Sequence, residues 1–176
     1  GPSAVSGESI TRGLTIALEK INASGGVMGG RPLELVIRDD ESTPAKGVAA
    51  ARELIEQEKV ALVFGGLDSP VSLAMLPVFH ELEVPYMGVW AAATGITRNE
   101  FDPNFAFRVS ANDNIVDSYL LRYAKQELGA TKVGLVLINN PWGESNQAGF
   151  EEWAPKYDLD IVGIEKFNDG DTDISP

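Results

Sequence analysis

Two short loops carry the residue types in this chain that are best suited to binding a small molecule. The first, residues 63–70, follows an apolar segment and places glycines and Ser69 just before a helix start. The second, residues 90–95, follows the next apolar segment and presents three alanines and Thr94. A hydroxyl group and uncovered amides at such a turn favour a carboxylate or a phosphate. Because the two loops end consecutive strands, we predict that they line one ligand cleft.

A sheet must position these loops, and the apolar pattern predicts one. Helical spacing of apolar residues alternates along the chain with short extended segments. Strands are predicted at 33–38, 60–64, 84–89, 105–109, 132–138 and 161–167. Helices are predicted around 10–21, 44–55, 69–79, 112–123 and 144–154, the third kinked or restarted at Pro77. This alternation predicts an α/β fold with parallel sheets and helices on both faces.

Composition excludes several classes of partner. The chain has 176 residues, of which 26 are acidic and 14 are Lys or Arg, so that its formal net charge is −12. Nucleic acid and anionic membranes need basic patches, and we therefore expect neither as a partner. The absence of cysteine excludes a disulfide scaffold and a thiolate metal site. A protein that binds a small molecule fits this composition.

Other candidate sites are weaker. The acidic run at 39–41 could hold a metal, but acids at a strand end before a helix usually fix a turn. The glycines at 25–30 follow a helix and precede a strand, the reverse of a dinucleotide site. His80 is predicted to lie on the surface. We expect no metal and no cofactor, and an enzyme is disfavoured because no nucleophile, base and orienting group share the cleft loops.

Several segments together carry a family resemblance. They are the opening loop at 1–7, Asp39-Asp40, the two cleft loops, and the run at 17–30, which reads Ala-Leu-Glu-Lys-Ile-Asn-Ala-Ser-Gly-Gly-Val-Met-Gly-Gly. The chain resembles the type I periplasmic solute-binding proteins, in particular the branched-chain amino acid (Leu/Ile/Val) binding proteins of ABC transporters. The resemblance implies two Rossmann-like parallel-sheet lobes joined by a hinge. Residues 1–113 would belong to lobe 1 and 114–176 to lobe 2. A first strand would precede the chain and a long C-terminal segment would follow it.

The resemblance also implies a function and partners. The protein would be the extracellular solute-binding component of an ABC importer, capturing a branched-chain or other amino acid, or a related small carboxylate, between its lobes. It would act in the periplasm or outside the cell, free or lipid-anchored, and would catalyse no reaction. Its partners would be the ligand, the ABC permease and the C-terminal segment of the same protein. The alternative is a ligand-sensing domain of the same fold in a regulatory or receptor protein.

The resemblance implies that three residues make the polar contacts with the ligand. The Ser69 hydroxyl and the Thr94 amide would bind a ligand carboxylate, and the Ala92 carbonyl and the Thr94 hydroxyl would bind an α-ammonium group. Small side chains at these loops would let the backbone approach the ligand. The structural alternatives are an N-cap role for Ser69 before Pro70 and a plain turn role for Thr94.

The walls of the pocket depart from the family pattern. Ser6 and Trp142 stand where the amino acid binders often have tyrosine, each before a Gly-acid pair. Trp142 would stack on a ring or cover an aliphatic chain, Ser6 would open space, and Trp90 would add a further wall. An aromatic or larger carboxylate therefore becomes a candidate ligand beside leucine, isoleucine and valine. The alternative for both tryptophans is core packing.

Overall fold

A computed structural model describes residues 3–172 of the chain. Helices and strands follow one another within this range, but no strand separates the first two helices and no α-helix separates the second strand from the third. The helices are α1 (Ala4–Ala23), α2 (Pro44–Glu56), α3 (Ser69–Glu81), α4 (Asp113–Gln126) and α5 (Pro141–Trp153), and single 3-10 turns occupy Thr94–Ile96 and Pro155–Tyr157. The strands are β1 (Val63–Gly65), β2 (Tyr86–Gly88), β3 (Ala106–Arg108), β4 (Lys132–Ile138) and β5 (Asp160–Phe167). The predictions for Gly1-Pro2 and for residues 173–176 lie outside the described range.

Between residues 3 and 172 the strands form two parallel sheets. The first has the order β1-β2-β3, with Tyr86 opposite both Val63 and Ala106. The second pairs β4 with β5, from Lys132 opposite Asp160 onward. Parallel strands need a crossover connection. Helix α3 supplies it between β1 and β2 and α5 between β4 and β5, whereas β2 and β3 are joined by residues 89–105, which contain only the 3-10 turn at Thr94–Ile96. The prediction of an α/β fold with parallel sheets is confirmed.

The larger apolar core fixes the strand ends from which the cleft loops start. It lies between α2, α3 and the first sheet, and Phe79 and Tyr86 are fully buried in it with their rings stacked at 4.8 Å. The Tyr86 hydroxyl donates a hydrogen bond to Ser72 Oγ at 2.8 Å. A Cβ on Gly65 would lie 2.0 Å from the Tyr86 ring, so the bare strand end lets this ring pack. A smaller core around Leu121 lies between α4, α5 and the second sheet.

Two predictions near the N-terminus are wrong. Helix α1 begins at Ala4, so Ser6 lies on a helix and not in the predicted loop. Residues 33–38 are not a strand, because none of the described strands pairs with them. The backbone at Leu33 pairs instead with the Asn22 side chain, whose Oδ1 accepts from Leu33 N at 2.7 Å and whose Nδ2 donates to Leu33 O at 2.8 Å.

Two predictions about α3 are also corrected. The helix continues through Pro77, so the predicted restart there is wrong; Leu76 and Val78 on either side are both buried in the core and hold the helix in place. His80 is half-buried and does not lie on the surface. Its ring stacks on Phe101 at 3.9 Å, and Phe105 N donates to its Nε2 at 3.1 Å. It joins α3 to the segment that leads into β3.

The start of α5 gives a first testable prediction. Asn140 caps this helix, because its Oδ1 accepts from Trp142 N at 2.9 Å and from Gly143 N at 3.2 Å. We expect Asn140→Ala to lower the free energy of unfolding by about 1 kcal/mol, since amides at the helix start lose their partner. Urea unfolding of both proteins measures this difference in the free energy of unfolding. Asn139→Ala is the control, because it removes an exposed amide outside the helix whose Nδ2 donates only to Asn168 Oδ1 at 3.1 Å. An equal loss in both variants would refute the capping role.

Candidate functional site

The two cleft loops meet at Ser69. This residue is the first of α3, is only 4% exposed, and its Oγ accepts a hydrogen bond from Ala93 N at 3.1 Å. The N-cap position of α3 is Asp68, and no side-chain cap bond forms there. The interpretation of Ser69 as an N-cap is therefore wrong, and its hydroxyl instead joins the loop after β1 to the loop after β2.

The loop after β2 is bonded to the start of α4. The Ala92 carbonyl accepts from Asp113 N at 2.9 Å. The Thr94 hydroxyl donates to Asn112 Oδ1 at 3.1 Å and accepts from Asn114 N at 3.2 Å. The two groups that the family resemblance assigns to an ammonium thus both contact the start of α4 in this structure. A plain turn role does not describe Thr94, because it links β2 to the helix of the next unit.

The Thr94 amide faces α5. Its N–H donates to Ser145 Oγ at 2.9 Å, across the gap between the part of the chain with the first sheet and the part with the second. An oxygen acceptor therefore stands at the amide that the resemblance assigns to a ligand carboxylate. The sequence does not predict this role for Ser145, since a serine in the middle of a helix carries no signal for such a contact.

Arg108 is the second residue that sequence reasoning missed. It is the last residue of β3, and its guanidinium contacts the loop after β2. There Nη1 donates to Ala93 O at 3.1 Å and Nη2 donates to Thr97 Oγ1 at 2.8 Å. Burial lowers the pKa of this guanidinium from its ordinary value. A charged residue at the carboxyl end of a short apolar strand was the available signal.

The predicted wall residues differ in their positions. Trp142, the second residue of α5, is 46% exposed, and its indole N–H donates to Asp113 Oδ1 at 3.2 Å. Trp90 is 51% exposed. Core packing is therefore wrong for both tryptophans. Ser6 lies half-buried on α1, and among the described residues no hydrogen bond joins it to either cleft loop.

A cavity of about 420 Å³ lies between the turn at 93–95 and α5. Its lining includes Thr94, Ser145, Glu144 and Glu152. Of the six predicted site residues, all of which the structure describes, Thr94 alone lines it. The space beside the Thr94–Ser145 contact is open enough for a small molecule, and its α5 wall is acidic.

A pair of buried acids lies next to this cavity on α4. Asp113 is 4% exposed and Asp117 is 0% exposed, and within residues 3–172 neither Asp117 oxygen nor Asp113 Oδ2 has a hydrogen-bond partner. Burial, with the charge of Asp113 as the smaller cause, raises the pKa of Asp117 to about 7. Burial also raises the pKa of Asp113, against hydrogen bonds from Ser145 and Trp142. Asp117 Oδ2 faces the bare backbone of Gly149 on α5.

The acidic run at 39–41 fixes a turn. Asp39 Oδ1 accepts from Glu41 N at 2.9 Å, and Asp40 Oδ1 accepts from Ser42 N at 2.8 Å. In the part of the chain that the structure describes, no three His, Asp or Glu side chains are grouped to hold a metal. Over the same range, no helix has the length and apolar character needed to span a membrane.

Comparison with known proteins gives consistent matches. A family model described as periplasmic binding protein matches residues 1–176. The Leu/Ile/Val-binding protein homolog 7 of Brucella abortus (strain 2308) is 28% identical over 181 residues, which is 99% of this chain and 45% of that protein. The chain thus spans about half the length of the curated relatives it matches.

Solved structures agree in fold. The branched-chain amino acid transporter substrate binding protein LivJ from Streptococcus pneumoniae, in complex with isoleucine, matches with a TM-score of 0.85 and 28% identity, over 99% of this chain and 49% of that one. A solute binding protein of an ABC transporter from R. palustris, in complex with benzoate, matches with a TM-score of 0.82 and 30% identity, over 98% of this chain and 47% of that one.

Proposed function

The chain belongs to the periplasmic binding protein family, and on this basis we propose that it captures a small carboxylate between two lobes for delivery to an ABC permease. The ligand would be a branched-chain amino acid or an aromatic acid, because relatives were solved with isoleucine and with benzoate. The relatives named above are described as binding proteins and not as enzymes. The protein would act in the periplasm or outside the cell.

The Thr94 amide is the observation that carries this proposal. It points at an oxygen acceptor, Ser145 Oγ at 2.9 Å, on the wall of a cavity large enough for a small ligand. A ligand carboxylate oxygen would take the place of that hydroxyl and accept the same hydrogen bond. The Ser69 hydroxyl would support this site by holding the Ala93 amide next to it. The Ala92 carbonyl would accept a hydrogen bond from a ligand ammonium group in place of the one that it accepts from Asp113 N in this structure.

We propose that residues 1–113 and 114–176 belong to the two lobes. Separate parallel sheets in these ranges support this division, and the hydrogen bond from Thr94 to Ser145 crosses it. Closure of the lobes on a ligand would then hold α5 against the loop after β2, which it already contacts through Ser145. Trp142 and Trp90, both half-exposed, would form walls of the pocket, and Ser6 on α1 would leave space.

Thermal unfolding of the full-length protein with a ligand panel tests the proposal. Leucine, isoleucine, valine, benzoate and 4-hydroxybenzoate would be compared with leucinamide and benzamide. We expect at least one carboxylate to raise the midpoint, because a ligand at 100 times its Kd adds about 2.7 kcal/mol to the native state. A shift with branched-chain amino acids would assign that class, and a shift with aromatic acids alone would assign the other. No shift with any carboxylate would refute the proposed function.

A further inference from the structure

We propose that Arg108 makes the cleft selective for anionic ligands by polarising the peptide group whose N–H binds them. Arg108 would act as a positioning residue, without touching the ligand. The inference rests on the proposed function, since it concerns the same Thr94 amide. It adds a residue that neither the loop pattern nor the family resemblance assigned.

The Arg108 guanidinium forms all its side-chain hydrogen bonds among the described residues with a single turn of the chain. Nη1 donates to Ala93 O at 3.1 Å, and Nη2 lies 3.4 Å from Thr94 O. Nε and Nη2 both donate to Thr97 Oγ1, at 3.2 and 2.8 Å. All of these acceptors belong to residues 93–97, so the planar fork of Arg108 fixes the turn that follows Ala92.

The first of these contacts links Arg108 to the ligand side of the loop. Ala93 C=O and Thr94 N–H belong to the same peptide group. A cationic donor on the carbonyl draws electron density from that group and makes its N–H a stronger donor, as in any chain of hydrogen bonds. The N–H donates to Ser145 Oγ at 2.9 Å on the opposite face of the turn. A negatively charged oxygen at that position gains more from this polarisation than a neutral oxygen does.

The charge of Arg108 is not cancelled by an ion pair. Among the salt bridges of the described residues none involves Arg108. The charged groups near it are Asp113, which attracts it from α4, and Arg98, which repels it. Asp113 is itself buried and already accepts from the Trp142 indole. Because Arg108 is half-buried, its field is screened less than that of a surface arginine and extends into the cleft.

Ligand selectivity of the full-length protein tests the inference. Calorimetry would give Kd values for two pairs, leucine with leucinamide and benzoate with benzamide, for the wild type and three variants. Arg108→Gln removes the charge and should lower the carboxylate-to-amide preference about tenfold, the size of a charge-assisted contribution. Arg108→Lys keeps the charge and loses the fork, and should keep the preference within about threefold of the wild type. Arg98→Gln removes a neighbouring charge and is the matched control, with no change expected.

The outcomes separate this inference from the proposed function. If Arg108→Gln weakened carboxylate and amide equally, with an unchanged ratio, Arg108 would only hold the loop and the inference would be wrong. If Arg98→Gln changed the ratio as much as Arg108→Gln, the effect would be one of net charge, which also overturns it. Absence of binding to every probe by the folded wild type would refute the proposed function and this inference with it. Should Arg108→Gln fail to fold, a tenfold loss of preference in Arg108→Lys would equally overturn the role of charge.

Discussion

Replacing Asp117 with asparagine is expected to raise the free energy of unfolding at pH 7.5 and to remove a pH dependence that the wild type shows. Asp117 is fully buried against α5, and neither of its oxygens has a partner among the described residues. Its exposure is 0%, so solvent does not reach the carboxyl group in this arrangement. A proton is then the simplest way to neutralise it.

The direction of the expected pH dependence follows from the raised pKa of Asp117. Below the ordinary pKa of 3.8 Asp117 is protonated in both the folded and the unfolded state, and its ionisation costs no stability. As the pH rises, the unfolded state releases the proton first and is favoured, so stability falls until the pH passes the folded-state pKa of about 7. A tenfold change in the acid dissociation constant corresponds to about 1.4 kcal/mol, so the whole rise in pKa gives a loss on the order of 4 kcal/mol. Asparagine matches the shape of the protonated acid and never ionises.

Urea unfolding of the full-length protein between pH 4 and pH 8 measures this effect. The wild type and Asp117→Asn should have similar stability near pH 4, and the variant should become the more stable protein as the pH approaches 7. Asp169→Asn, which changes an exposed acid, is the control for net charge and should follow the wild type. If the curves of wild type and Asp117→Asn ran parallel over the whole range, Asp117 would not be held in its protonated form.

The architecture is predictable from the sequence because its signals are local. The apolar pattern predicts strand β4 at 132–138 with the same bounds that the structure shows, since its apolar run is bounded by turn residues. The strand predicted at 33–38 fails for a different reason. A strand exists only with a hydrogen-bonded neighbour, and the residues near 33 find the Asn22 side chain instead. Pairing depends on distant residues, which periodicity does not reveal.

The site is predictable only in part, for a related reason. Small residues and hydroxyls after consecutive strands identify Ser69 and Thr94, and the structure brings their loops together through the Ala93 amide. Arg108 and Ser145 become visible only from the tertiary contacts that place them on opposite faces of the same turn. A lone arginine at a strand end and a serine within a helix occur in many proteins without such a role. Their meaning depends on side-chain direction, which composition and spacing leave open.

The second large effect is expected at Gly149, where α5 packs on Asp117. A Cβ there would lie 2.1 Å from Asp117 Oδ2 and 3.2 Å from Asp117 Cβ, so alanine requires the buried acid to move. Glycine to alanine normally stabilises a helix by up to about 1 kcal/mol. We expect the reverse for Gly149→Ala, a loss of about 1–3 kcal/mol from overpacking. Gly13→Ala in α1, where a Cβ meets nothing within 4 Å, is the matched control and should stabilise.

A double-mutant cycle with Asp117→Ala identifies the cause of the loss. Shortening residue 117 removes the carboxyl group that a Cβ on residue 149 would strike, so Gly149→Ala should cost much less in the Asp117→Ala background. An equal cost of Gly149→Ala in both backgrounds would mean that the α4–α5 contact does not hold the acid in place. A large coupling would instead explain why the carboxyl group remains buried without a partner. The Gly149 backbone, which has no side chain, would determine where the carboxyl group lies, and burial at that position would keep it protonated.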